Sequence, residues 1–252
     1  MTEAEPKFLD RCPYTSCDIT EGYWYHMFDF LEGTSVVPEF DFRGKVDKFL
    51  PCNISGKTFL DIGAGNGFFG FEMERRGAIV TSVDLPLDRG NDSIPYRGSP
   101  DRADSNRCNK LGFHKAYWYA HSYFGSKARV FYSPVLELPD NFGIYDVVWL
   151  GSILQHSKDP VGSVIRADKH TGKQIVLCEA RHDSHLPELV FCAEPGKQDP
   201  QYWTWWRFSP AFLVVLLKTL GYSDITATLI DLVGIRQNIV VPSVVVTGYK
   251  ND

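Results

Sequence analysis

The chain has no surplus of positive charge: 26 Lys and Arg stand against 31 Asp and Glu in 252 residues, a formal net charge of -5. A polyanion meets no global attraction, so nucleic-acid binding would need a local basic patch that the sequence does not display. No apolar run is long enough to span a bilayer, and the start carries Glu3, Glu5 and Asp10 where a secretory leader has basic residues before an apolar stretch. The expectation is a soluble, cytoplasmic protein with no membrane partner. Its six cysteines, Cys12, Cys17, Cys52, Cys108, Cys178 and Cys192, lie far apart in unlike contexts, without a Cys-x-x-Cys pair or zinc-type histidine spacing. Free thiols and no metal are expected. Internal repeats and low-complexity runs are also missing, and nothing bears on oligomeric state.

What is present is enough apolar residue, 44%, for one sizeable core with an appended cap. From Lys57 onward, β-rich runs alternate with helical patterns, as in parallel strands joined by crossover helices. The strands read as 57–62, 78–84, 129–132, 145–150 and 174–179, with a late antiparallel pair near 224–230 and 243–249. Two helices are marked by their caps. Asp159-Pro160 precedes a Val161, Val164, Ile165 stripe, and Ser209-Pro210 precedes Phe212, Leu213, Leu216, Leu217 and Leu220, with Gly221 placed to end the second. Residues 1–55 hold Tyr14, Tyr23, Trp24, Tyr25, Phe28 and Phe30, too aromatic for a disordered tail, and read as a cap or lid on a domain spanning 56–252. The stretch 86–110, with its mixed charges, reads as a polar loop, and 181–207 as an insertion after the fifth strand, where α/β folds place ligand-facing loops.

The strongest local pattern is Phe59-Leu60-Asp61-Ile62-Gly63-Ala64-Gly65-Asn66-Gly67, an apolar strand running into three alternate glycines and then into a helical segment, 68–75. Such a bend brings backbone close to a ligand, and the helix start offers N–H groups to an anionic group. The glycine spacing departs from the dinucleotide pattern Gly-x-Gly-x-x-Gly. Asp84, about twenty residues on at the end of the second strand, is placed to accept hydrogen bonds from ribose hydroxyls. With Tyr145 to His156 as a fourth-strand motif and Gln174 to Glu179 as a fifth strand, the chain resembles the class I S-adenosylmethionine-dependent methyltransferases over about 57–249. A narrower likeness, carried by Trp24-Tyr25-His26, Glu74 to Ala78, Phe124 to Lys127, Leu154 to Pro160 and Trp206 to Pro210, is to the tRNA wobble-uridine carboxymethyl-transferring branch and its methyltransferase relatives.

The resemblance implies a Rossmann-like α/β fold: a seven-stranded, mostly parallel sheet with its last strand antiparallel, helices on both faces and an N-terminal cap. It implies S-adenosyl-L-methionine as cofactor and S-adenosyl-L-homocysteine as product. Asp61, Gly63, Ala64 and Gly65 would surround the methionine moiety and Asp84 the ribose, with Leu85 beside adenine and Leu150 and Gly151 completing the set. The family often has an acid after the third strand to meet the adenine amino group; here Ser133-Pro134-Val135 stands there, and Ser133 or the Val135 backbone is the substitute.

His156, just past a strand end, is either the base for a hydroxyl or amine acceptor or a histidine that ties down its loop. His182 and His185 are further candidates in the insertion. Trp203, Trp206 and Arg207 are candidate acceptor contacts, flat aromatics being suited to planar rings or cations; the alternative is packing of the insertion. Tyr25 and His26 either close over the site or clasp the cap to the core. A small-molecule methyl acceptor is the expected partner, by O- or N-methylation. A tRNA-modifying transferase and a non-catalytic S-adenosylmethionine-binding domain remain the alternatives.

Overall fold

The computed structural model describes residues 5–50, 53–89, 103–192 and 204–251, without the side chains of 103–108. Trp203 and most of the charged stretch after Arg89 lie outside these residues. In chain order the elements are β1 (Thr58–Ile62), α1 (Phe68–Arg75), β2 (Ile79–Asp84), α2 (Ala103–Phe124), β3 (Arg129–Tyr132), β4 (Tyr145–Gly151), α3 (Pro160–Asp168), β5 (Thr171–Ala180), β6 (Leu189–Phe191), β7 (Trp206–Phe208), α4 (Pro210–Thr219), β8 (Ser223–Gly234) and β9 (Ile239–Tyr249).

Seven strands form one sheet in the order β3-β2-β1-β4-β5-β9-β8. The first five neighbours pair in parallel, and β9 runs antiparallel to both β5 and β8. Alternation decides which side chains go where. Phe59, Val80, Val147, Trp149, Val176 and Val245 join one buried cluster, while Leu60, Ile62, Val83, Val148, Leu150, Ile175, Leu177 and Val244 join the other. A sheet buried on both faces needs cover on both, which is why its strands read as near-continuous apolar runs. Helices α3 and α4 cover the second face. Both begin as their sequences predict, with Asp159 accepting the Gly162 N–H at 2.8 Å and Ser209 accepting the Phe212 N–H at 3.0 Å.

The first face is covered by α1, α2 and the N-terminal segment. Trp24, Phe28, Leu31, Phe40, Phe42, Val46, Phe49 and Leu50 are buried among Phe68, Phe69, Phe71, Tyr117 and Trp118, so these N-terminal residues are part of the main core. The segment also straps both sheet edges. Leu9 exchanges two 2.8 Å backbone bonds with Val130 of β3, and Phe40 bridges to Gly234 at the end of β8, pairing that covers otherwise open edge groups.

Two stretches differ from the sequence reading. The last eight residues of the expected polar loop, 103–110, are helical, because α2 buries Ala116, Tyr117, Trp118 and Ala120 further along and extends back from that face. Within the expected insertion, β6 and β7 pair antiparallel as a two-stranded ribbon; at three residues each, they are too short to show alternation. The β8–β9 hairpin continues past the last β5 partner, Ala180↔Ser243, to Gly234↔Ile239, and so overhangs the carboxyl end of the sheet.

Candidate active site

At the carboxyl end of the sheet the chain leaves β1 through Gly63, Gly65 and Gly67, whose φ angles are +79°, +57° and +81°. Side chains with a Cβ rarely adopt such values. At Gly63 a Cβ would also lie 2.2 Å from Ile153 Cγ2, so this glycine lets the loop after β4 close onto the loop after β1. The bend is fixed from β2: the N–H groups of Gly63 and Ala64 donate to the Val83 carbonyl at 2.8 and 3.1 Å.

Two carboxylates serve this bend. Gly67, the residue before α1, has no side chain to cap the helix, and Asp61 substitutes from the strand by accepting the Gly70 N–H at 3.1 Å. Asp84 accepts the Gly65 N–H at 2.7 Å on one oxygen and the Leu85 N–H at 2.6 Å on the other. Burial pushes Asp61 up to about 7, with the Asp84 charge adding to it, and burial pushes Asp84 up to about 6 against the pull of its two backbone donors. A carboxylate oxygen has two acceptor sites. Asp84 therefore keeps acceptor capacity on each oxygen for a ligand hydroxyl, and a ligand cation would relieve the strain of two acids held short of water.

Next to Asp84, the Ser133 N–H donates to the Asp84 carbonyl at 2.9 Å, and the Ser133 hydroxyl donates to the Pro134 carbonyl at 3.0 Å. Val135 opens a short 3-10 turn. Leu85 is held by a residue that sequence reasoning missed. His114 on α2 donates from Nε2 to the Leu85 carbonyl at 2.9 Å and accepts the Tyr14 hydroxyl on Nδ1 at 2.6 Å, a tautomer fixed by its partners. Burial lowers His114 to about 4, and its ring stacks on Tyr132 at 4.1 Å. Nothing in the local sequence distinguishes this histidine from a core residue.

Across the bend, Leu150 points into the opposite core, so at this edge β4 offers backbone at Leu150 and Gly151. The chain then turns through Ser152, at φ +54°, into a 3-10 turn, Leu154–His156. A second missed residue holds this turn. Glu179, fully buried near the end of β5, accepts the N–H groups of Ile153, Leu154 and Gln155 at 3.0, 2.8 and 3.2 Å. Burial pushes it up to about 8 despite those donors. The signal was an acid closing an otherwise apolar strand. From the outside the ribbon grips the same turn: the Trp205 N–H donates to the Gln155 carbonyl and the Trp206 indole to the Ser157 carbonyl, both at 2.8 Å. His156 is half-buried, its Nε2 3.3 Å from Gln155 Nε2.

The N-terminal segment meets the glycine bend through His26. Its Nδ1–H donates to Asn66 Oδ1 at 2.9 Å, and the Asn66 amide returns a 3.2 Å bond to the His26 carbonyl. Burial lowers His26 to about 4, so the ring is neutral, packed between Phe42, Phe68 and Phe69. Tyr25 lies beside Phe40 and Phe113, and burial raises its hydroxyl, with Glu39 adding to that. Phe113 in turn lies over Gly65, 3.7 Å from where a Cβ would stand. The structure thus gathers Asp61, Gly63 to Gly65, Asp84, Leu85, Ser133, Gly151 and the His26 clasp at one sheet edge. His182 and His185 belong to the ribbon side: His182 approaches Glu188 at 3.6 Å, and His185 and Arg207 are exposed.

Comparison with protein-family profiles finds no match, and comparison with curated protein sequences finds none either. Solved structures do match. One is a magnesium protoporphyrin IX methyltransferase from Synechocystis PCC 6803 with S-adenosylhomocysteine bound, 14% identical, with 79% of this chain and 76% of that one aligned at a TM-score of 0.51. A second is the 1,6-didemethyltoxoflavin-N1-methyltransferase of Burkholderia thailandensis with S-adenosylhomocysteine and 1,6-didemethyltoxoflavin bound, 18% identical over 79% and 72% of the two chains, TM-score 0.52. A third, a SAM-dependent methyltransferase from Aquifex aeolicus, is 14% identical over 84% and 90%, TM-score 0.50. With the strand order and the antiparallel β9, these likenesses establish that the chain has the Rossmann-like fold of the S-adenosylmethionine-dependent methyltransferases.

Proposed function

We propose that the protein is an S-adenosylmethionine-dependent methyltransferase acting on a small-molecule acceptor. The observation that carries this reading is the Asp84 carboxylate, part-buried at the end of β2, bonded to the Gly65 N–H of a glycine bend and still able to accept hydroxyl protons. Two of the structural neighbours hold S-adenosylhomocysteine, and the toxoflavin enzyme also holds a small acceptor, which supports the reading.

In it, Asp84 accepts the ribose hydroxyls, Leu85 and Ser133 border adenine, and Asp61 supplies negative charge for the ammonium beside the backbone of Gly63 to Gly65. When bound, the cofactor supplies a methyl group activated by its sulfonium. The chain's own work is to align the acceptor, exclude water and take a proton where the acceptor carries one. His156 takes that proton, on a turn fixed by Glu179. Tyr25 and Trp206 border the acceptor, and His26, engaged with Asn66, acts as the clasp that holds the N-terminal segment over the bend. An acidic chain gives a polyphosphate acceptor no help, so the small-molecule reading stands ahead of tRNA.

Titration calorimetry with S-adenosylhomocysteine tests the cofactor assignment. Saturable binding of one equivalent is expected, and no heat at protein concentrations of about 100 μM would overturn it. Turnover on a panel of hydroxylated and amine heterocycles, followed by product formation from S-adenosylmethionine, then defines the acceptor.

A further inference from the structure

Cys12 and Cys17 bear on a property that the methyl-transfer reading does not touch. Their spacing in sequence gives no motif, yet the fold brings the two sulfur atoms to 3.2 Å. Both are free thiols; Cys12 is exposed and Cys17 is half-buried. Between them Tyr14 folds back, its N–H donating to Cys12 Sγ at 3.4 Å, while the Cys12 thiol lies 3.6 Å from the Tyr14 carbonyl. Tyr14 anchors the loop on α2 by donating its hydroxyl to His114, and the Asp18 and Glu21 capping box closes the chain just beyond Cys17. The loop is thus held on both sides of the sulfur pair. Among the described residues no group of three His, Cys, Asp or Glu side chains forms a metal site, so the pair has no company of that kind.

We propose that Cys12 and Cys17 form a reversible intramolecular disulfide. A disulfide needs the sulfur atoms about 2.05 Å apart, so closure asks for a movement of roughly 1.2 Å, within reach of a χ1 rotation of the exposed Cys12. The exposed thiol is the one an oxidant meets. With glutathione disulfide, the Cys12 thiolate attacks one sulfur and expels a glutathione thiolate, leaving a mixed disulfide on Cys12. The Cys17 thiolate then attacks Cys12 Sγ and expels the second glutathione. The two thiol protons leave with the two glutathione molecules: the protein dithiol is oxidised and glutathione disulfide is reduced to two thiols. Burial and the neighbouring Cys12 thiol push Cys17 of the reduced pair up to about 12, which leaves the first attack to the exposed Cys12. The product is a closed ring holding residues 13–16, and with them the Tyr14 hydroxyl that steadies His114 beneath Leu85.

The test uses the full chain incubated with glutathione disulfide, acid-quenched, alkylated and mapped by peptide mass. The expected wild-type result is the loss of both alkylation sites at Cys12 and Cys17, an intramolecular link between them, and full recovery with dithiothreitol. In Cys17→Ser, where nothing can resolve the mixed disulfide, glutathione is expected to accumulate on Cys12; in Cys12→Ser the adduct on Cys17 should form at least about tenfold more slowly. Full alkylation of both wild-type residues under the same oxidant, a link from either one to a different cysteine, or a Cys17→Ser protein with no adduct on Cys12 each overturns the proposal. None of these readings depends on methyl transfer, so a failure here and a failure of the cofactor assignment are told apart.

Discussion

Asp84 accepts two backbone N–H groups, and the protein still holds it well above the ordinary carboxylate range. Ligand hydroxyls that reach it replace lost hydration with charge-assisted hydrogen bonds, each worth about 1.5–3 kcal/mol. Asp84→Asn keeps one acceptor for the bend and loses the charge, so the expected change is a fall in S-adenosylhomocysteine affinity of roughly 10- to 100-fold in calorimetry. An unchanged affinity removes the ribose assignment. His156→Ala separates chemistry from binding at the same scale: turnover should drop by about 10²- to 10⁴-fold, the usual contribution of a positioned base, with cofactor affinity within about twofold. If turnover holds, the base lies elsewhere and His182 is next to be tested. The acid before the glycines was legible in the sequence, but its partner was not. Asp61 bonds Gly70 because Gly67 cannot cap α1, a consequence of local geometry that a spacing rule does not contain.

The turn from Ile153 to His156 closes two backbone bonds of its own, from the His156 N–H to the Ile153 carbonyl and from the Ser157 N–H to the Leu154 carbonyl, and is held in place by neighbours on either side. Glu179 satisfies three consecutive N–H groups from below, while the ribbon holds Gln155 and Ser157 from outside. Glu179→Ala leaves those donors buried without an acceptor, at a cost of about 1–3 kcal/mol for each group that water does not reach, so a loss of at least about 3 kcal/mol is expected in urea unfolding. Glu179→Gln keeps one acceptor oxygen and should cost less than half of that. A role limited to stability predicts unchanged turnover in the Gln variant under folding conditions. A role in placing His156 predicts reduced kcat with an unchanged KM for the cofactor. The strand carrying Glu179 was readable from its apolar run and the capped helices from their Asp-Pro and Ser-Pro starts. The ribbon was not, because three-residue strands have no measurable period, and residues 103–110 at the start of α2 read as loop because they are polar in sequence.

At the scale of the whole molecule, the mostly parallel sheet and its antiparallel finish followed from the alternation of elements and from the family likeness, whereas the path of residues 5–50 did not. Those residues strap both sheet edges and fill the first face with aromatic rings, contacts of long sequence separation that no local pattern records. One consequence of this packing is the collection of ionisable groups it buries, and their pH dependence can be worked out by sign. Asp61, Asp84 and Glu179 are raised to about 7, 6 and 8. A carboxyl whose folded pKa lies above its unfolded value binds its proton more tightly when folded. Its stabilising contribution is complete below the unfolded value near 4 and is lost as pH rises through the folded value. His26 and His114 are lowered to about 4 and act in the other sense: below about 6.5 the unfolded chain takes up protons that the folded one refuses, so their contribution falls with pH. From pH 8.5 down to 6.5 the raised carboxyls titrate, joined near the upper end by the raised thiols of Cys17 and Cys178 acting in the same sense, and the unliganded protein should gain thermal stability. Below 6.5 the two sets oppose each other and the curve should level, until the acids lowered by surface ion pairs, such as Asp41 and Asp140, protonate near the acidic end. The measurement is the thermal midpoint of unliganded protein from pH 4 to 9, repeated with Asp61→Asn. A midpoint that is flat or climbs between pH 6.5 and 8.5 would show that these acids are solvated or paired in the folded state, while a slope that survives unchanged in Asp61→Asn would move its origin to the other raised groups, Glu179 foremost.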